Sequence, residues 1–404
     1  MLNKLNQGGI LAQFGAVVVG TFVVLKAYSF IASFLETGRL ESNKGKRDAS
    51  KPVVSGLTNE RGSSSMDLPT SLSQKTIDAI VASAPAVAPK ALDITQNFYK
   101  RVIGKHPDIL AFFNPAHNVP ISLHQPKALA ASIVAYASNI TDLSPLLVSG
   151  GAVEAIANRH AALGIFPAQY AVVHENLMES IGEVLGSVVT PDIAAAWSEA
   201  VLFLAKVFID LEENLYHMAE NRAGGWSGLS DFEVSDIEDV GENIKSFSFK
   251  PVIGSALEGS NFEFISGQYL SLKVDPQADG LTAPRHYTVT SPPGANFLQC
   301  TVKKIKGGKV STYIHEKLKV GDVVKLAAPF GVFTVEEKEV KSAVLISAGI
   351  GITPMINIKR TLGDKVKLRV HVDTSPKAVA HASVFGSCPA LEKFTRVAGG
   401  KSPS

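Results

Sequence analysis

The chain has 404 residues, enough for two or three domains rather than one. Hydrophobic residues make up 46%, ample for buried cores, and 39 basic against 37 acidic residues leave a net charge of +2, which gives nucleic-acid binding no electrostatic support. The two cysteines, Cys300 and Cys388, fall in different predicted elements and form no CxxC pair, which excludes a disulfide framework or a zinc site and fits a reducing compartment.

Residues 8–35 read GGILAQFGAVVVGTFVVLKAYSFIASFL. No charge occurs from Gly8 to Leu25, a run of about 27 Å as a helix and close to the hydrocarbon thickness. This predicts a membrane anchor within residues 1–40. A cleaved signal peptide or a mitochondrial presequence are the alternatives, but no small-x-small cleavage site stands out and arginine is scarce. Arg39, Lys44, Lys46, Arg47 and Lys51 follow the run, so the positive-inside bias puts the folded domains in the cytosol or its topological equivalent. Residues 41–71 are polar, Ser/Gly/Lys-rich and non-periodic, and read as a flexible linker.

Residues 72–222 have helical period, punctuated at Pro107, Pro115, Pro120, Pro145, Pro167 and Pro191. Thr190 is the predicted cap of a helix with Pro191 in its first turn. In QPKALAASIVAYASNI, the residues Gln125, Leu129 and Ile133 recur at i, i+4, i+8 and share one helix face. Pro145 and Gly150–Gly151 break the pattern before a short helix carrying His160. A small polar group among apolar neighbours, followed by an imidazole on a later helix, is what a haem needs: one protein ligand and a mostly dry face for a gas. A lone histidine on an apolar helix is more often an ordinary core residue than a ligand.

Beyond AGGWSG (Ala223 to Gly228) the period drops to two. DFEVSDIEDV, IKSFSFKPV, QYLSLKV, HYTVTS, FLQCTVKK and VVKLAAPF read as six short strands of a small antiparallel barrel. SAVLISAGIGITPM then reads as a buried strand, a glycine turn and a helix start, the opening of an α/β unit.

The segments NFYKRV, Phe112–Phe113, QPKALAASIVAYASNI, IANRH, FPAQY, VFIDLEENLY and AGGW follow one another as in the globin domain of flavohaemoglobins. The resemblance continues into the reductase half, from about Leu72 to Pro354. It implies a multidomain chain: an all-α globin at 72–222, an antiparallel β-barrel FAD-binding domain of ferredoxin-reductase type at 226–338, and a partial α/β NAD(P)-binding domain at 340–404. It implies haem b, FAD and NAD(P)H as cofactors.

By that resemblance His160 is the proximal iron ligand, with Glu212 and Tyr170 as the groups that orient it; a solvated helix charge is the plain alternative for Glu212. A carboxylate pulling on the imidazole NH pushes electron density towards iron. Tyr99 and Gln125 match the distal pair, Leu129 sets pocket size and Phe113 wedges the haem, with core packing as the alternative for both aromatics. Arg285-His286-Tyr287-Thr288 resembles the RxYS motif of flavin barrels. There the arginine fork suits pyrophosphate, the aromatic lies on the flavin, and Thr288 keeps the hydroxyl where serine is usual. Tyr269 in GQYL matches a second cofactor aromatic. Gly307, Gly308, Val310 and Ser311 open a helix whose free NH groups suit phosphate. Gly349, Gly351, Thr353 and Pro354 form a dinucleotide turn after the strand SAVLIS.

One departure stands out. After HVDTSPKAVAHA the chain closes with SVFGSCPALEKFTRVAGGKSPS, where flavohaemoglobins continue for roughly another half-domain, and Cys388-Pro389 is no match for their Cys-Gly-Pro motif. A dinucleotide domain needs about 100 residues or more. The sequence therefore leads us to expect poor uptake of electrons from NAD(P)H, with full activity only as a longer product or with a partner reductase supplying electrons. The activity implied is nitric oxide dioxygenation, with electrons passing from NAD(P)H through FAD to haem and with O2 and NO as substrates of a monomer. A membrane-anchored haem gas sensor or scavenger is the alternative. A plain ferric or quinone reductase would leave the globin motifs idle.

Overall fold

The computed structural model describes residues 66–335, 340, 342–347, 349–363 and, for the backbone alone, 16–19 and 367–372. The expected linker up to residue 65, Cys388 and the tail after Val372 lie outside the described residues, as does the expected anchor apart from Ala16–Val19. The chain divides into two compact units. Among the described residues, one comprises 66–217 with Gln277–Pro284, and the other comprises Met218–Pro276 and the described residues from Arg285 onward with Ala16–Val19.

The first unit is helical: α1 (Gln74–Val87), α2 (Ala91–Lys105), α3 (His124–Ser138), α4 (Ala152–Leu163), α5 (Pro167–Leu185) and most of α6 (Pro191–Glu220). Thr190 caps α6 as expected, its Oγ1 accepting from Ile193 N at 3.3 Å. At the start of α1 the Ser73 hydroxyl accepts from Thr76 N at 3.2 Å. Glu199 of α6 takes the Ser73 N–H at 2.7 Å and the Thr76 hydroxyl at 2.6 Å. A carboxylate at a helix N-terminus meets both unpaired NH groups and the positive end of the dipole.

The core joins Ile80, Ile94, Phe98, Val102, Ile133 and Trp197. Polar atoms of its aromatics are satisfied: Trp197 Nε1 donates to Ser83 Oγ at 3.0 Å, and Tyr136 OH to the Ala200 carbonyl at 2.9 Å.

The second unit holds β2 (Leu229–Gly241), β3 (Ile244–Pro251), β4 (Tyr269–Lys273), β5 (Arg285–Thr288), β6 (Leu298–Lys303) and β7 (Val323–Phe330), with α7 (Lys309–Glu316) between the last two. These are the six strands expected from the period-two stretches. They form one antiparallel sheet in the order β5-β4-β7-β2-β3-β6. The sheet curls until the two edge strands meet: Val289, just past β5, bridges Cys300 of β6. Closure removes the open edges that a flat sheet would expose. Trp226, from the glycine-rich join, is buried against Phe232 and Phe262 at ring distances of 5.3 and 5.9 Å and donates its Nε1–H to the Leu326 carbonyl at 3.2 Å.

The chain then enters β8 (Ser342–Ser347), a 3₁₀ turn at Gly349–Gly351, α8 (Ile352–Leu362) and β9 (Lys367–Val372), which runs parallel to β8. This is the expected strand, glycine turn and helix. The other edge of β8 pairs antiparallel with β1 (Ala16–Val19). Those four residues, placed by the sequence in a membrane helix, are extended here. No helix among the described residues is long and apolar enough to cross a membrane.

Candidate cofactor sites

Three helices bring the proximal group together. His160 comes from α4, Tyr170 from α5 and Glu212 from α6. His160 Nδ1 lies 2.7 Å from Glu212 Oε1 and 3.0 Å from the Tyr170 hydroxyl, and that hydroxyl donates to Glu212 Oε1 at 2.5 Å. Glu212 is only 2% exposed, which removes the solvated-charge reading; its neighbour Glu213 instead pairs with His217 on the same helix at 3.0 Å. A buried carboxylate costs several kcal/mol unless paired. Burial pushes the Glu212 carboxyl up, and the hydrogen bonds from His160 and then Tyr170 pull it back. Burial first, and the Glu212 charge second, hold the Tyr170 phenol far above its ordinary range, so it stays a donor.

Both contacts of His160 fall on Nδ1. With the Nδ1 proton given to Glu212, the imidazole lone pair sits on Nε2, the arrangement a metal-ligating histidine needs. This donor set fits a haem iron. Phe208, one helical turn before Glu212, packs on the His160 ring at a centroid distance of 5.6 Å. The sequence reading missed it, although the i, i+4 spacing to Glu212 was there to be used.

The expected distal residues gather from α2, α3 and the turn between them. Tyr99 is buried, its ring edge-on to Phe113 at 5.4 Å and to Phe98 at 5.0 Å. Its phenol is hydrogen-bonded to Gln125, and burial pushes its pKa well up. Leu129 and Phe113 pack against the same core cluster. Leu146 and Leu204 touch both this cluster and the one around Tyr170 and Phe208, so the two sets of residues adjoin.

In the second unit the paired strands β4 and β5 set Tyr269 opposite Thr288 and Leu270 opposite Tyr287. Arg285 and Tyr287, two residues apart, share one face. Burial raises the Tyr287 phenol and lowers the Arg285 guanidinium. Tyr269 stacks on His286 at 4.5 Å with the rings 12° from parallel, a contact the sequence alone did not reveal. Gly331 also lies close to the ring: its φ is +126° and a Cβ there would lie 2.8 Å from Tyr269 Cε1. A guanidinium, a phenol and a hydroxyl on one short strand are a donor set suited to a flavin dinucleotide.

Gly307 turns with φ +76° and Gly308 caps α7. Ser311 Oγ accepts from Ile305 N at 3.1 Å, so this hydroxyl braces the turn. Val310 beside it is buried. At the third site Gly349 and Gly351 form the 3₁₀ turn, Thr353 Oγ1 donates back to the Ile350 carbonyl at 3.0 Å, and Pro354 lies in the first turn of α8. Two side chains of α8 that the sequence reading did not single out reach the barrel through three hydrogen bonds: Asn357 Nδ2 donates to the carbonyls of Val289 and Ser291, each at 2.9 Å, and Arg360 Nη1 to that of Thr290 at 2.7 Å.

Residues 96–208 match the Globin family, and residues 231–335 match the Oxidoreductase FAD-binding domain. Fold and site thus define a globin joined to a flavin-type oxidoreductase barrel. The Flavohemoprotein of Rhizobium meliloti (strain 1021) is 37% identical over 317 residues, covering 77% of this chain and 76% of the relative. That of Bacillus subtilis (strain 168) is 37% identical over 290 residues, covering 72% and 70%. The crystal structure of the flavohemoglobin from Malassezia yamatoensis, with bound FAD and heme, superposes with a TM-score of 0.65 at 27% identity, covering 78% of this chain and 80% of that one. The chain belongs to the flavohemoprotein family.

Proposed function

We propose that the chain is a nitric oxide dioxygenase that converts NO and O2 to nitrate, with electrons from NAD(P)H passing through FAD to haem b. The observation that carries this reading is the His160–Glu212–Tyr170 triad. A storage globin needs only an imidazole; a buried carboxylate on its Nδ1 proton is costly and serves to raise the electron density of the ligand. The haem supplies an iron centre for a gas, and FAD supplies the relay between a two-electron donor and a one-electron acceptor.

The chain's own residues do the rest. Glu212 Oε1 holds the Nδ1 proton and Tyr170 holds Glu212. Tyr99 offers a phenolic proton on the distal side, where Phe113 and Leu129 keep the surroundings apolar and water out. In the barrel Arg285 suits the cofactor phosphates and Tyr287 and Thr288 the ring system. Net reaction needs one electron for each NO and O2 combined, so one NAD(P)H serves two turnovers. A gas sensor would have no use for the residues of β5.

The test is the absorption spectrum of the purified full chain with haem and flavin quantified. About one of each per chain is expected, and, at the poor uptake expected from the sequence, anaerobic NADH or NADPH should bleach the flavin slowly and then reduce the haem. Haem without flavin would favour the sensor. For location we propose, from the uncharged run Gly8–Leu25 alone, attachment to a membrane with the folded units on the cytosolic side. The strand at Ala16–Val19 is the competing use of the same residues. Release of the full chain by carbonate washing would decide for the strand.

A further inference from the structure

The backbone that leaves β5 is held from one side by α8. Three successive carbonyls, of Val289, Thr290 and Ser291, each accept a hydrogen bond from a side chain of that helix. Asn357 spends both Nδ2 protons on the outer two, and Arg360 takes the middle one. The other side of the same segment is tied into the barrel: Val289 N donates to the Gln268 carbonyl at 3.0 Å and Thr290 N to that of Gln299 at 2.8 Å. This is the seam where Val289 meets Cys300 and the sheet closes.

The helix is two-faced. Met355, Ile358 and Leu362 pack with Leu345 of β8, while Asn357 and Arg360, three residues apart, point the opposite way on a 3.6-residue period. Asn357 is fully buried and its Oδ1 has no partner among the described residues. An apolar residue would pack such a site without leaving an amide oxygen stranded, so simple packing does not account for the choice. What the amide provides is a two-point register between the helix and the strand end.

We propose that Asn357 and Arg360 are positioning residues for hydride delivery: they lock the helix that begins at the Gly349–Gly351 turn onto the backbone that follows Tyr287 and Thr288. The inference rests on the reductase reading above. Hydride transfer oxidises NAD(P)H and reduces FAD by the same electron pair, and it depends steeply on the orientation of the two rings. In this chain the orientation is set through α8 and the barrel seam as well as through the sheet of β8 and β9. The Ser266 hydroxyl, 2.5 Å from that of Thr361, is a further tie between barrel and helix.

The experiment compares the full chain, loaded with haem and FAD, with Arg360→Met and Arg360→Lys. It measures flavin content, the visible circular dichroism of the flavin, flavin reduction by dithionite, and anaerobic flavin reduction by NADH and NADPH over a range of concentrations. We expect Arg360→Met to lower the limiting rate of reduction by nicotinamide about tenfold or more. Flavin content and the dithionite rate should stay unchanged, and Arg360→Lys, which keeps a donor, should recover most of the rate. Asn357→Asp, which removes the two donors without changing size, should act in the same direction. A limiting rate within twofold of the unaltered chain in both Arg360→Met and Asn357→Asp would overturn the inference, as would a loss that only tracks lost flavin. An unaltered chain that binds FAD but is bleached by neither nucleotide would overturn the reductase reading and this inference together.

Discussion

The Nδ1 atom of His160 lies 2.7 Å from Oε1 of Glu212, across 52 residues of chain and with Tyr170 donating to the same oxygen. The contact favours the proton on Nδ1, and so leaves the Nε2 lone pair for the iron that the proposed function assigns to it. It also keeps a charge that would otherwise be costly to bury.

Replacing that charge tests its role. Glu212→Gln keeps size and an acceptor oxygen but removes the pull on the Nδ1 proton. We expect haem still to bind, the iron–histidine stretching frequency to fall in resonance Raman spectra, and turnover to drop about tenfold or more. An unchanged stretching frequency would separate Glu212 from the tuning of the ligand.

On the distal side, Tyr99→Phe keeps the ring packed against Phe113 and removes one donor. A hydrogen bond to a charged partner is worth about 1.5–3 kcal/mol, so O2 release by the ferrous protein should quicken about tenfold or more. A release rate equal to that of the unaltered chain would remove Tyr99 from the gas site.

Gly331→Ala addresses the flavin side. The added methyl would lie 2.8 Å from Tyr269 Cε1 on a backbone with φ +126°, so the tyrosine ring must move. Overpacking of this kind costs about 1–3 kcal/mol. FAD should be lost more readily on dilution while haem content stays the same, as measured by flavin fluorescence of the filtrate. Equal retention of FAD would mean that the ring position does not matter to the cofactor.

Acid stability should report on Glu199. The Thr76 hydroxyl, and next the Ser73 N–H, hold its carboxyl below the ordinary range. A depressed folded pKa contributes stability that is complete above the unfolded value, about 4.3, and is lost as pH falls through the folded one. Glu199→Gln should therefore unfold more easily at neutral pH, and its helical signal should lose less stability than that of the parent between about pH 5 and 3. Parallel pH profiles for the two proteins would show that the cap carries no such linkage.

Much of this was legible in the residues. Helical period ended where Ala223 to Gly228 intervene, and the six alternating stretches are the six strands. Gln125, Leu129 and Ile133 share a helix face, and Thr190 caps its helix. The His160–Glu212 contact was available through family resemblance, but no local rule joins residues so far apart in the chain. The stacking of His286 on Tyr269 depends on the register of β4 against β5, which alternation alone leaves open. Asn357 and Arg360 read as the polar side of an ordinary amphipathic helix, because their partners are main-chain carbonyls that carry no residue-type signal. Ala16–Val19 shows the limit most plainly: a short apolar run suits a buried strand as well as a membrane helix, and periodicity does not separate the two.

The most direct measurement of the central claim is nitrate formation by the purified full chain, loaded with haem and FAD and supplied with NADH or NADPH, O2 and NO. His160→Ala, loaded with FAD, serves as the control. The account predicts one nitrate for each NO consumed, half a nucleotide oxidised per nitrate, and no nitrate above background from His160→Ala. Nitrate at the background rate from a chain that carries both cofactors would contradict it.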